Sequence, residues 1–469
     1  MKNSIDYEEL CNDVMDRETI INNEMYAFGE MIETLPEEYI TESINVGPGE
    51  TLRFDHKTIH LSSQINCEGN IEFDHCAVYY SESEEESEII VERAGDVRIV
   101  DSFVVCIRGK RTTKEHIPHY LITCHSAAKL SFENTMFKDC AAFLVSYRCQ
   151  EFQMYHCRLI DCYDRFMRIS GLDHDTPVEI TDSSFIIGDL DLFHMETGDS
   201  ATLLATTIEI EADENKKIEV VNCSFAGNES FETIIESNKA HGRVDFISSK
   251  YGVSYKRCTF EGLSTGIEAQ SVKDCQFTWC TEAITVPLLC RDLVQIIKDC
   301  RFGSCTNIIN PDANLKGLQI ENCEFVSCYN RILSTGYQGG LVMEGCTFLD
   351  ISVQEDGDSW PSVFEIERDG SRSACLSRIT GCRFALVRLG KGYLFRANGL
   401  REKPRGYAVS ISACELKDCT TDRPGFEIMD PYIVYDTMLK KNQRFHAIDI
   451  RPDCIGFDTP CLNLLQNDY

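Results

Sequence analysis

The sequence has few positive charges and no long apolar run. Its 45 Lys and Arg stand against 76 Asp and Glu, which gives a formal net charge of −31. Such a deficit of cations argues against non-specific binding to nucleic acid or to an anionic membrane surface. No apolar segment reaches the ~20 residues that a membrane-spanning helix needs. The N-terminus also lacks the basic and apolar regions of an export sequence, so we expect a cytoplasmic protein with no membrane contact.

The 25 cysteines lack the pattern of a disulfide framework or of a zinc site. Their number is odd, and no pair is spaced as Cys-x-x-Cys. Many instead recur at one position of a repeat, where a free cysteine behaves as a small buried hydrophobe. We therefore predict core thiols in a reducing compartment, and no metal site.

The repeat is clearest in residues 294–305 and 318–328. Its template is apolar-x-apolar, one or two spacers, Asn or Asp, a small anchor residue, any residue, and Phe. Thirteen anchors follow this template: Cys76, Ser102, Thr135, Cys157, Ser183, Cys223, Cys258, Cys275, Cys300, Cys323, Cys346, Cys382 and Cys414. Two residues after the anchor, nine of the thirteen turns carry Phe: Phe137, Phe185, Phe225, Phe260, Phe277, Phe302, Phe325, Phe348 and Phe384. A repeat with a period of this size is typical of a solenoid.

Each template position has a physical role. The alternating apolar residues, such as Leu318 and Ile320, predict a short strand with one buried face. Asn, Asp and Gly tolerate left-handed backbone angles, so they favour a tight bend before the anchor. The anchor and Phe then form a second short strand with both side chains inward. Strands this short bury a face only when turns stack at ~4.8 Å.

These features resemble the right-handed parallel β-helix superfamily, the fold of pectate lyases. The resemblance rests on the Asn134, Asn222 and Asn322 type bends and on the inward Phe column, and it covers roughly residues 45–425. It implies an all-β fold, a single-stranded right-handed parallel β-helix of about 13 turns. Because one fold hosts many functions, the resemblance does not by itself imply an activity.

The ends of the chain depart from the repeat. Residues 1–44 are acidic with an approximate helical stripe, and we predict a helical N-terminal cap over the first turn. A docking arm for a partner is the alternative. The predicted β-helix spans residues 45–424, and residues 425–469 are predicted to be a C-terminal cap.

Basic residues at two places are candidates for ligand binding. Cys162-Tyr-Asp-Arg165 and Cys328-Tyr-Asn-Arg331 are near copies that precede the third strand of a turn. The superfamily resemblance implies that the outer face of this strand lines a polymer cleft. The basic cluster at 388–405 is the second place. The candidates are Arg165, Arg168, Arg331, Arg388, Lys391, Arg396 and Arg401. Pairing with nearby carboxylates is the alternative for the first group.

Three functions compete. The leading hypothesis is a non-catalytic cytosolic scaffold that binds an extended protein or polysaccharide partner along its face. The alternative is a polysaccharide-active enzyme, a lyase more than a hydrolase, because the sequence lacks the Asn-Thr-Asp, Asp-Asp and Gly-His-Gly motifs of polygalacturonases. The superfamily implies calcium as a cofactor if the protein is a lyase, and none otherwise. A mimic of nucleic acid ranks last, because the acidic residues concentrate in the N-terminal segment and loops.

Overall fold

The chain folds into short strands separated by bends. The computed structural model describes residues 34–81, 88–92, 95–107, 120–126, 128–140, 142–162, 166–172, 178–187, 205–211, 218–227, 244–249, 252–263, 266–285, 294–310, 317–329, 331–337, 340–353, 362–368, 377–398, 409–420, 426–428, 432–435, 438–440 and 465–466. Within these residues, no helix is both long enough and apolar enough to cross a membrane.

Each turn carries three strands, and each strand pairs in parallel with its equivalents one turn away. Arg301–Gly303 pairs with Gln276–Thr278 on one side and with Glu324–Val326 on the other. The same step relates Val294–Lys298 to Gly317–Glu321. Because neighbours in a sheet are successive turns of one chain, the fold is a parallel β-helix, and this part of the predicted fold is confirmed. The right hand of the coil, the number of turns and the helical N-terminal cap stay predictions.

The strands form four stacks. Sheet A holds Glu37–Ile40, Thr58–Leu61, Ala77–Ser81, Phe103–Ile107, Met136–Lys138, Arg158–Ile160, Ser184–Ile186, Ser224–Ala226, Thr259–Glu261, Gln276–Thr278, Arg301–Gly303, Glu324–Val326, Thr347–Leu349, Arg383–Ala385, Glu415–Lys417, Met438–Lys440 and Leu465–Gln466. Sheet B holds Ile44–Val46, Ile65–Cys67, Ile89–Val91, Ile122–Cys124, Leu144–Ser146, Met167–Ile169, Ala205–Ile210 and Val244–Ser249.

Sheet C holds Thr51–Asp55, Asn70–Asp74, Val97–Val100, Ala128–Glu133, Cys149–Tyr155, Val178–Thr181, Glu219–Val221, Val253–Lys256, Ile267–Lys273, Val294–Lys298, Gly317–Glu321, Gly340–Glu344, Ser377–Thr380, Val409–Ser412 and Tyr432–Tyr435. Sheet D holds Ile284–Thr285, Ile309–Asn310, Leu333–Tyr337, Ser362–Arg368, Tyr393–Asn398 and Phe426–Ile428, and Ile267–Lys273 pairs with its first strand. In the later turns, sheet D supplies the strand that sheet B supplies in the earlier ones.

The bend between sheets C and A is left-handed, as predicted. Every predicted bend residue has a positive φ: Asp101, Asn134, Asp182, Asn222, Asp274, Asp299, Asn322, Gly345 and Gly381. Side chains of successive turns bond along this column, with Asn134 Nδ2 donating to Asp101 Oδ1 at 2.6 Å and Asn322 Nδ2 to Asp299 Oδ1 at 3.2 Å. A second left-handed bend follows sheet A, and it includes Asp139, Trp279 and Ser304. The repeat template did not predict this second column.

The interior of the coil is filled by the Phe and Cys columns. Phe185, Phe225, Phe260, Phe277, Phe302, Phe325, Phe348 and Phe384 stack ring on ring at 4.5–4.9 Å. The described cysteines are free and buried, so the core-thiol interpretation is confirmed for them. The Cys300 Sγ donates to the Lys298 carbonyl oxygen at 3.1 Å, and the Ser102 hydroxyl makes the equivalent bond to Val100. The anchor is therefore a small side chain that satisfies a buried carbonyl.

The stacks extend beyond the predicted β-helix boundaries. Glu37–Ile40 lies inside the segment predicted as a cap, Ile44–Val46 begins at its last residue, and both strands pair with the following turn. At the other end, Tyr432–Tyr435 and Met438–Lys440 continue sheets C and A. The helical stripe predicted from Ile5 to Ile32 lies outside the described residues.

Candidate functional site

The outer face of sheet B gathers charged and aromatic side chains from successive turns. Thr123, Val145, Arg168 and Glu209 are partners in register, so their side chains share one row. Arg168 and Glu209 are half-buried, whereas Thr123 and Val145 are buried. Two residues later in each turn, one residue past the end of the strand, a parallel row holds His125, Tyr147, Ser170 and Glu211. The stacked rings of His125 and Tyr147 show that side chains of this row lie one above another. The stacking of turns therefore places residues from four distant stretches of sequence on one surface.

Arg168 is the centre of this surface. Its Nη2 donates to Glu211 Oε1 at 2.7 Å, and its Nε lies 3.6 Å from Glu209 Oε2. The hydrogen bond to Glu211 raises the pKa of Arg168, burial opposes that shift, and the charges of Glu209, Glu211 and Tyr120 support it. The guanidinium is therefore a fixed cation held between two carboxylates.

An aromatic pair lies beside this cation. The rings of His125 and Tyr147 stack at 5.7 Å with an interplanar angle of 6°, and 55% of Tyr147 is exposed. Gly171, in the next turn, lets the backbone of that turn pack closely against the backbone of Tyr147. A Cβ on Gly171 would lie 2.2 Å from the Tyr147 carbonyl oxygen. Its φ of +66° also requires glycine. The phenol is thus presented to solvent from a tightly packed backbone.

The structure separates Arg388 and Lys391 from Arg168. Arg388 pairs with Asp350 at 3.1 Å, and Lys391 is an exposed turn residue. Eight steps along sheet A lie between the turn of Arg168 and that of Arg388, or about 38 Å at ~4.8 Å each. The two basic groups therefore cannot hold one small ligand.

The remaining candidates are placed only in part. Arg331 is half-buried and lies two residues before Leu333–Tyr337, and its carbonyl oxygen accepts a bond from Ile308 N at 3.2 Å. Arg396 lies in register with Glu365, and its side chain is outside the described atoms, as are Arg165 and Arg401 entirely. Ligand binding by all seven candidates stays a prediction.

His125, Tyr147, Glu209 and Glu211 were missed by reasoning from sequence. Glu209 has the same position in its turn as Arg168, and His125, Tyr147 and Glu211 lie two positions later, in the patterns Thr-x-His, Val-x-Tyr, Arg-x-Ser and Glu-x-Glu. Aligning these third strands would have found them. The loops around them vary in length, however, and this hides the register.

One group of possible metal ligands lies elsewhere, at the bend between sheets C and A. Asp74 Oδ1 is 2.7 Å from His75 Nδ1, and Asp101 Oδ2 is 3.8 Å from His75 Nε2. Arg53 also pairs with Asp74 at 2.6 Å. Burial by itself raises the pKa of Asp74, but His75 and Arg53 outweigh burial and lower the pKa. These groups satisfy one another.

Calcium does not fit the Arg168 surface. Calcium takes six to eight oxygen ligands. Glu209 and Glu211 are both engaged by the guanidinium. Among the described residues, no third ligand groups with these two carboxylates. We therefore assign the ion no role in the chemistry of this surface.

Comparison with protein-family models and with curated proteins found no match. Solved structures with low similarity include an alginate lyase, AlyF-OU02, in complex with G6 (9% identity, 88% of this chain and 86% of that chain, TM-score 0.30). A mannuronic acid specific polysaccharide family 6 lyase from human gut microbiota has 9% identity, covers 90% of each chain and has a TM-score of 0.27. A double mutant of the periplasmic alginate epimerase AlgG has 11% identity, covers 89% and 88%, and has a TM-score of 0.30. Similarity this low carries no argument about activity.

Proposed function

We propose that the protein acts on an acidic polysaccharide that lies across the turns on the outer face of sheet B. The proposal rests on one observation, the convergence of Arg168, Tyr147 and His125 from separate turns. A guanidinium binds carboxylates in a bidentate geometry, and an exposed aromatic ring offers a flat apolar face to a sugar. An extended surface that crosses turns suits a polymer better than a small molecule.

The chemistry that these side chains support best is elimination. A base removes the proton from the carbon next to the sugar carboxyl group, the electron pair forms a double bond, and the glycosidic oxygen leaves with a proton. Arg168 would neutralise the carboxylate, which makes the neighbouring proton easier to remove. The Tyr147 phenol and the His125 imidazole belong to the side-chain types that accept and donate protons in enzymes. No external reagent is needed for the atoms to balance.

The existing ion pairs of Arg168 favour a second candidate function, a non-catalytic interaction protein. A guanidinium already held by Glu209 and Glu211 must exchange a partner before it binds a substrate. A structural ion pair on a scaffold needs no such exchange. The predicted cytoplasmic location fits this second candidate better, and that location stays a prediction.

The test is a screen of the purified protein against acidic and neutral polysaccharides for unsaturated ends, reducing ends and binding. We expect unsaturated ends from an acidic polymer, and we expect Arg168→Ala to lower the rate by about 10²–10³-fold, the typical effect of removing one electrostatic donor. Tyr147→Phe should also lower the rate while leaving binding largely intact.

Arg301→Ala is the matched control. Arg301 is also a strand arginine paired with a glutamate of the next turn, Glu324, at 3.5 Å, and it lies on sheet A. Its loss should leave turnover unchanged. Binding without turnover would support the interaction protein, and an equal loss of rate in both arginine variants would remove the special role of Arg168.

A further inference from the structure

A separate cavity of about 250 Å³ lies on the outer face of sheet C. It spans four turns, from Asn70–Asp74 to Cys149–Tyr155. The outward row here runs Glu72, Arg98, Ser131, Gln153 in register. Ser131 is a short side chain between long ones, so the row sinks at that position. We call this depression the sheet C groove.

Of the two basic side chains in the sheet C groove, Lys129 is paired with a carboxylate of the described residues and Arg98 is not. Lys129 Nζ pairs with Glu151 Oε2 at 2.9 Å, which raises the pKa of Lys129 through that hydrogen bond. Arg98 is exposed, and in the described part of the chain no carboxylate oxygen lies within ion-pair distance of it. Glu72 is in register with Arg98, but its carboxylate is also beyond ion-pair distance of the Arg98 guanidinium. Because no carboxylate of the described residues pairs with it, Arg98 is available to an anionic ligand.

The wall of the sheet C groove is preorganised by hydrogen bonds between successive turns. Asp96 N donates to Asn70 Oδ1 at 3.3 Å, and Lys129 N donates to Asp96 Oδ1 at 3.2 Å, so the side chains bond from turn to turn. Behind them, a Cβ on Gly95 would lie 2.2 Å from the Gly69 carbonyl oxygen, which shows how closely these turns pack. Little ordering entropy remains to be lost when a ligand binds.

We propose that the sheet C groove binds a single sugar acid residue, with Arg98 on its carboxylate. The Ser131 hydroxyl and the Gln153 amide supply both donors and acceptors for sugar hydroxyls. The volume lies below the ~300–1,000 Å³ of pockets for drug-sized ligands, which favours one ring over a longer segment. This binding site goes beyond the proposed activity, because it lies on a different sheet from Arg168.

The experiment is a calorimetric or NMR titration of the full chain with glucuronate, with glucose, and with a short oligogalacturonate. Glucuronate should bind more tightly than glucose. Arg98→Ala should weaken glucuronate by about tenfold or more, because it removes a charge-assisted bidentate contact. Arg98→Lys should recover only part of the loss, since an ammonium cannot replace the planar fork. If oligogalacturonate binds as tightly as glucuronate, the natural ligand of the groove is the terminal residue of a polymer. If oligogalacturonate binds more weakly, the natural ligand is a free sugar acid.

Two further variants separate the outcomes. Arg378→Ala removes an exposed arginine from the same row of sheet C, ten turns away, and should change nothing. Ser131→Gln fills the depression without altering charge and should abolish binding. Absence of glucuronate binding to the native chain, or an equal loss with Arg378→Ala, would overturn the proposal. The loss of glucuronate binding caused by Arg98→Ala should be the same in an Arg168→Ala background, so failure of the polymer activity and failure of this groove are distinguishable.

Discussion

At the scale of single residues, the bends decide whether a turn can close. The column before the anchors requires a positive φ in every described turn, and Asn, Asp and Gly meet that requirement at the lowest cost. The same column also carries the polar bonds between turns, such as Asn322 to Asp299. Backbone conformation and side-chain bonding are therefore coupled at one position.

Two glycines in this column allow a matched test. Gly345 and Gly381 have nearly the same φ, +65° and +64°. A Cβ on Gly345 would lie 2.6 Å from Asn322 Oδ1, whereas the nearest heavy atom to a Cβ on Gly381 is 3.9 Å away. Both alanine variants should lose about 1 kcal/mol from the backbone strain. Gly345→Ala should lose more, because Asn322 must also move.

Urea unfolding of both variants and of Asn322→Ala/Gly345→Ala measures this difference. The double variant should recover the additional loss of stability seen in Gly345→Ala, because the Asn322 side chain that the new Cβ would contact is removed. If Gly345→Ala and Gly381→Ala lose the same stability, and the double variant recovers none, the Asn322 side chain adds no constraint at this bend.

The sequence predicted the bend residues, the inward Phe column and Arg168 as a binding candidate, but not the residues that surround Arg168. Bend and core positions recur within a single turn, so each repeat shows them locally. Glu209 and Tyr147 meet Arg168 only through the register between turns, and insertions of unequal length separate those turns. A position set by local physics is predictable from a repeat, whereas a contact set by register is not.

At the scale of elements, the stacked rings make the sheet A strands cooperative. Phe302 is fully buried and lies 4.8 Å from both Phe277 and Phe325. A strand of three residues contributes little by itself, so most of its stability comes from the turns above and below. The Phe column supplies an apolar contact between each pair of successive turns from Phe185 to Phe384.

Truncation of one ring should therefore be costly. Phe302→Ala should destabilise the fold by about 3–5 kcal/mol through lost burial and an unfilled cavity. Phe302→Leu keeps most of the volume and should cost less than about 1.5 kcal/mol. Chemical unfolding monitored by circular dichroism measures both. A similar small cost for the two variants would contradict a closely packed ring column.

At the scale of the whole molecule, the core thiols link stability to pH. Burial raises the pKa of Cys157 to about 12 and that of Cys328 to about 12. The unfolded chain ionises its thiols near pH 8.5. Stability from these groups is therefore complete below about pH 8.5 and is lost as the pH rises toward about 12, because only the unfolded state releases the protons.

We expect the free energy of unfolding to fall between about pH 8.5 and 10, by up to about 1.4 kcal/mol per pH unit for each such thiol. Cys157→Ser should make the fall shallower, because serine does not titrate there and can make the same bond to a carbonyl. Urea midpoints across this range give the slope. A slope unchanged in the variant would show that the thiol at this anchor is not protected by burial.

The central claim is that the β-helix presents a polysaccharide-binding surface on sheet B. Its most direct test is a crystal structure of the protein with a bound uronic-acid oligosaccharide. We predict a sugar carboxylate on the Arg168 guanidinium, with Glu209 or Glu211 displaced and a ring lying against Tyr147. An oligosaccharide bound away from sheet B, with Arg168 still held by both glutamates, would contradict the claim.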